Sequence, residues 1–176
     1  TALRSAGAIY VNGNYLEIKD TDFIGNGAKC TQSYDNRTGS SYFTSVGGNA
    51  GAICWMGSYG DLDNVTFLNN TATQRGGAIQ FEQNKNTTIE NSRFINNTAG
   101  TEGGAIDFYK GAVNGKIINS NFTNNTAYEN GGAIYWEGNC GTINSTRFEN
   151  NKVLGLGDGI ELEVKTNPDT NVQEKR

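Results

Sequence analysis

Large apolar residues recur along this chain in short runs of period two, never at the three-and-four spacing of a helix. Ile9, Ile53, Ile79, Ile106, Ile134 and Ile160 share one register. Two residues on stand Val11, Trp55, Phe81, Phe108, Trp136 and Leu162. Polar or small residues mostly separate them, as in a strand with one buried face. A second run carries Ile18, Leu62, Ile89, Ile117 and Ile143, each five residues ahead of a phenylalanine. Those phenylalanines, Phe23, Phe67, Phe94, Phe122 and Phe148, open a third short strand.

The runs belong to a repeat. The string A-G-A-I or G-G-A-I starts at Ala6, Ala50, Gly76, Gly103 and Gly131, and a degenerate copy, Gly157-Asp158-Gly159-Ile160, ends the series. F-x-x-N follows every full copy, from Phe23–Asn26 to Phe148–Asn151. After the second copy the intervals are 26, 27 and 28 residues; the first is 44, lengthened by an insertion. Three short strands and three corners per repeat make one coil of a solenoid, with like positions stacked about 4.8 Å apart. The predicted fold is all-β: a right-handed single-stranded parallel β-helix of about five to six coils. It would span residues 1–165, with an insertion loop at 27–49 and a polar C-terminal tail or linker at 166–176.

The corners agree with this reading. Gly7, Gly51, Gly77, Gly104 and Gly132 suit tight turns that need positive φ or close backbone approach. Asn26, Asn70, Asn97, Asn125 and Asn151 form a column able to hydrogen-bond from coil to coil as an amide ladder. Asp20, Asn64, Asn91, Asn119 and Ser145 form another polar column. These columns are read as architecture.

Composition narrows the function. Gly numbers 24 of 176 residues, Pro one, and only 18% are charged, which suits many tight corners. A net charge of −4 without any Lys/Arg cluster argues against nucleic acid. Apolar runs are too short for membrane insertion by this segment. The absence of His removes the commonest general base and zinc ligand. The chain begins in strand-like sequence at Thr1, and the expectation is a piece of a longer protein with further domains.

The pairing of Phe94-Ile95-Asn96-Asn97-Thr98-Ala99 with Gly103-Gly104-Ala105-Ile106 resembles the polymorphic outer-membrane protein repeat. That repeat occurs in chlamydial surface proteins and in adhesin-like surface proteins of methanogenic archaea. The resemblance covers the chain from Ala6 to about Val164. It implies a pectin-lyase-like β-helix, an extracellular or cell-surface location and an adhesive role. It implies no catalytic residue. The insertion and the Asp158 copy depart from the pattern.

Two regions are candidate binding sites. The positions of the first strand expected to face outward form one column of Tyr10, Cys54, Gln80, Asp107, Tyr135 and Glu161. Its neighbour holds Asn12, Met56, Glu82, Tyr109, Glu137 and Glu163. Aromatic rings stack on the apolar faces of sugars, and carboxylates and amides accept hydroxyl protons. The insertion contributes Tyr34, Arg37, Tyr42 and Phe43, residue types suited to interface anchors. No cofactor is required, although Glu82, Asp107 and Glu137 on successive coils form a candidate Ca²⁺ site. Of three cysteines, Cys30 and Cys54 are placed for a bridge pinning the insertion to the scaffold, and Cys140 is left free.

Three functions remain in play. The first is an adhesin-like module binding a glycan or surface protein of a host or neighbouring cell. The second is a passive spacer in a large surface protein. The third is a polysaccharide lyase or hydrolase using the same carboxylates, although Lys110 and Lys116 are the nearest cations by sequence.

Overall fold

In the computed structural model, residues 5–29, 32–35, 40–43, 48–155 and 172–174 are described. Each repeat winds once around a shared core. The first row holds β1 (Ile9–Asn12), β2 (Glu17–Lys19), β3 (Asp22–Ile24) and β4 (Gly27–Ala28). A hairpin, β5 (Gln32–Asp35) and β6 (Ser40–Phe43), follows. The second row is β7 (Ile53–Ser58), β8 (Asp61–Asp63), β9 (Thr66–Leu68) and β10 (Thr71–Ala72). The third is β11 (Ile79–Lys85), β12 (Thr88–Glu90), β13 (Arg93–Ile95) and β14 (Thr98–Ala99). The fourth is β15 (Ile106–Tyr109), β16 (Lys116–Ile118), β17 (Asn121–Thr123) and β18 (Thr126–Ala127). The fifth is β19 (Ile134–Trp136), β20 (Thr142–Asn144), β21 (Arg147–Glu149) and β22 (Lys152–Val153), and β23 (Val172–Glu174) pairs onto β19.

Equivalent strands pair in parallel into four sheets, one for each side of the coil. From the first row to the fifth the chain makes about four turns, slightly fewer than the coils expected. Register follows the repeat: Ile9 meets Ile53, which meets Ile79, then Ile106 and Ile134. There is no helix among the described residues, hence none long and apolar enough to cross a membrane.

The apolar columns pack as the periodicity predicts. Phe23, Phe67, Phe94, Phe122 and Phe148 stack with ring centroids 4.6–5.0 Å apart. Phe81, Phe108 and Trp136 stack at 4.8 and 4.1 Å on the neighbouring column. Stacking identical rings on every coil lets one packing solution repeat, and it adds to the burial of large apolar area.

Two features were not read from the sequence. Each coil has a fourth strand of two residues, so Gly27–Ala28 belongs to the first coil and pairs with Thr71–Ala72. The insertion proper begins beyond it, and its described part is an antiparallel pair with Tyr34 opposite Ser41 and Ser33 opposite Tyr42. The two glycines of G-G-A-I also divide their roles. Gly76, the first, has φ of +59°. Gly77, the second, is needed for space, because a Cβ there would lie 2.0 Å from the carbonyl oxygen of Gly104.

Candidate functional site

The β1–β7–β11–β15–β19 sheet carries the candidate face, but one of its two columns is not open to solvent. Tyr10 in the first row is exposed, its hydroxyl donating to Met56 Sδ at 3.0 Å. Cys54, Gln80, Asp107 and Tyr135, which continue that column, are all buried. The expected solvated face is therefore corrected to a covered polar seam. The residue directly ahead of the first turn glycine stands five positions before this column, as Arg75, Glu102 and Asn130. Gly76 and Gly103, both in the left-handed region, turn the chain at this corner between the covering residues and the strand.

Side-chain contacts run along the seam. Cys54 Sγ approaches Gln80 Oε1 at 3.7 Å, and Gln80 Nε2 donates to Asp107 Oδ2 at 3.5 Å. Arg75 is ion-paired with Glu102 and lies 3.9 Å from Asp107 Oδ2. Asn130 Nδ2 donates to Glu102 Oε1 at 3.3 Å. Asp107 Oδ1 is buried without a hydrogen-bond partner. Burial pushes the Asp107 carboxyl up to about 8, and Glu102 and Glu137 push the same way against Arg75 and the Gln80 hydrogen bond. Asp107 thus holds its proton at neutral pH.

The second column forms the accessible rim. Tyr109 is half-buried between Glu82 in register on β11 and the following coil, where Glu137 N donates to Phe108 O at 2.9 Å. The Arg75 guanidinium sits over the Tyr109 ring at 4.2 Å, and the Lys110 ammonium lies 4.8 Å from the same ring. Cations over a tyrosine face are held by its quadrupole. The rim thus offers guanidinium and ammonium donors, a phenol ring, and the carboxylates of Glu82 and Glu137.

The candidate Ca²⁺ site does not form. Glu82 is in register with Tyr109, whereas Asp107 is in register with Gln80 and Tyr135, so the carboxylates belong to different columns. Among the described residues no group of three acidic, Cys or His side chains is placed to hold a metal ion. Of the expected Cys30–Cys54 pair only Cys54 is described: it is free and buried, with burial raising its thiol to about 12. Cys30 and Arg37 lie outside the described residues, as do the side chains of Tyr34, Tyr42 and Phe43 and the degenerate copy with Glu161 and Glu163.

The residue that sequence reasoning missed is Arg75. Its signal was present: Arg75 and Glu102, of opposite charge, occupy one corner register on successive coils. Reading it required knowing that this corner faces the first-strand column rather than solvent.

No curated protein and no solved structure matches the chain. The family described as the right-handed β-helix region matches residues 7–174. Its handedness and solenoid architecture agree with the four parallel sheets described above. The chain belongs to the right-handed β-helix family.

Proposed function

We propose that this chain is a surface-displayed binding module that recognises a glycan on the rim formed by Arg75, Glu82, Tyr109 and Lys110. The observation that carries the reading is the Tyr109 ring held by two cations, Arg75 and Lys110, on a rigid sheet. The Asn ladders elsewhere satisfy one another along the axis, whereas this rim presents charged donors and acceptors beside an aromatic ring. Such a set grips hydroxyls and packs a sugar face. The likeness of the G-G-A-I and F-x-x-N strings to the polymorphic outer-membrane protein repeat supports an adhesin-like role on the cell surface. A broad glycan array tests it. Wild type is expected to mark a defined set of glycans, and Tyr109→Ala to lose a distinct part of that set while melting within a few degrees of wild type. Silence of the wild type on the whole array would instead favour a passive spacer.

One observation favours a second reading, a polysaccharide-cleaving enzyme. Asp107 keeps a proton to about pH 8 beside a guanidinium, as a general acid would. The carboxyl is fully buried, so a substrate would reach it only after Arg75 moved aside. Reducing-sugar release by wild type that fails in Asp107→Asn would establish this reading over the first.

A further inference from the structure

A second aromatic feature lies away from that rim, on the corner between the first and second sheets. Tyr15 and Tyr59 occupy one corner column, shown by the backbone bonds Tyr15 N to Ser58 O at 2.9 Å and Tyr59 N to Lys85 O at 2.8 Å. Their rings run parallel, 5.1 Å between centroids and 12° between planes. They are 77% and 50% exposed. Both backbones are left-handed, with φ of +65° and +62°, a conformation that bulky residues rarely adopt. The next two coils place Asn86 and Asn114 in this column, also left-handed, with Asn114 Nδ2 donating to Asn86 Oδ1 at 3.1 Å.

Stability does not explain the tyrosines. Asn tolerates the left-handed region better and adds a rung to the amide ladder. A stacked pair this exposed buries little, so it returns little for its backbone strain. Strain kept without a packing return points to a ligand. The scaffold also holds the pair in place: Asn14 Oδ1 accepts from Ser58 N at 2.8 Å, and Trp55 Nε1 donates to Gly13 O at 2.8 Å.

We infer that the Tyr15–Tyr59 pair is a stacking site for a neutral polysaccharide lying along the helix axis. Both rings stand exposed at a corner, unlike the desolvated pocket that anchors a protein side chain. Amides and hydroxyls flank the pair, Asn12 and Asn14 on the first coil, Ser58 on the second and Asn86 on the third, while the charged residues beside it are of mixed sign: Lys85 in register with Ser58, and Glu17 in register with Asp61. A pyranose lays its C–H face on an aromatic ring and turns its hydroxyls to such groups. An extended chain would meet ring, ring, amide and amide on successive coils. The inference stands apart from the Tyr109 reading, because it uses no residue of that rim.

The test titrates the intact chain with cellohexaose, mannohexaose and xylohexaose. The readouts are the tyrosine ring resonances and the affinity. At least one of the three is expected to shift the Tyr15 and Tyr59 resonances. The double variant Tyr15→Asn/Tyr59→Asn should bind at least about tenfold more weakly, the loss of roughly one good stacking contact. It should melt no lower than wild type, because Asn86 and Asn114 fill this column on the next two coils. The inference is overturned if none of the three binds, if binding leaves both ring signals unmoved, or if the double variant binds equally well. Loss of binding in Tyr109→Ala alone would also overturn it, and would place the neutral sugar on the other rim.

Discussion

At the scale of single residues, Asp107 is the position where burial and charge conflict most. Its carboxyl titrates near 8 in the fold and near 3.9 in an unfolded chain. Between those values the folded state binds the extra proton. Stability therefore falls as pH rises from about 4 to about 8, then levels off. Asp107→Asn mimics the protonated acid and should flatten that slope, leaving the variant more stable than wild type near pH 8. Urea midpoints of both proteins across this range check it; parallel slopes would show that Asp107 is ionised in the fold. The sequence placed Asp107 on a strand next to Tyr109, which was right, but it could not place Arg75 and Glu102 above it. Burial of the seam depends on a corner closing over a strand five residues on. Alternation along the strand reports which of its faces is inside, and it is silent about what lies across the outer face.

At the scale of elements, the corners hold the coils in register. Asn97 Nδ2 donates to Asn125 Oδ1 and to Phe67 O, both at 3.0 Å, and its Oδ1 accepts from Asn70 N at 3.0 Å. Asn97→Ala would strand several buried groups at about 1–3 kcal/mol each, so a loss of about 3 kcal/mol or more is expected in urea unfolding. Asn91 sits in the exposed ladder with φ of +51°. Asn91→Gly gives up two solvated bonds, one to Asp63 and one from Asn119, while relieving the backbone, and should be nearly neutral. Equal costs at the two positions would mean that the ladders are interchangeable. The inner ladder was legible because F-x-x-N repeats at a fixed offset. The fourth strand was not, because Thr98–Ala99 and its equivalents are too short to show a period.

At the scale of the whole molecule, the repeat made the architecture readable from end to end, since each coil restates the same apolar columns and corner residues. The positions that break the repeat are where function is read. Arg75 and Glu102 differ in charge within one column, and Tyr15 and Tyr59 replace Asn in another. A scaffold whose ladders satisfy themselves leaves these departures as the groups able to meet a ligand. The most direct test of that claim is a backbone amide shift map of the isotope-labelled chain, titrated with a glycan that wild type marks on the array and Tyr109→Ala does not. Shifts confined to residues 75–82 and 107–111, flanking the Tyr109 rim, are the expected result. Shifts centred on Asn70, Asn97 and Asn125, with the rim unmoved, would contradict it.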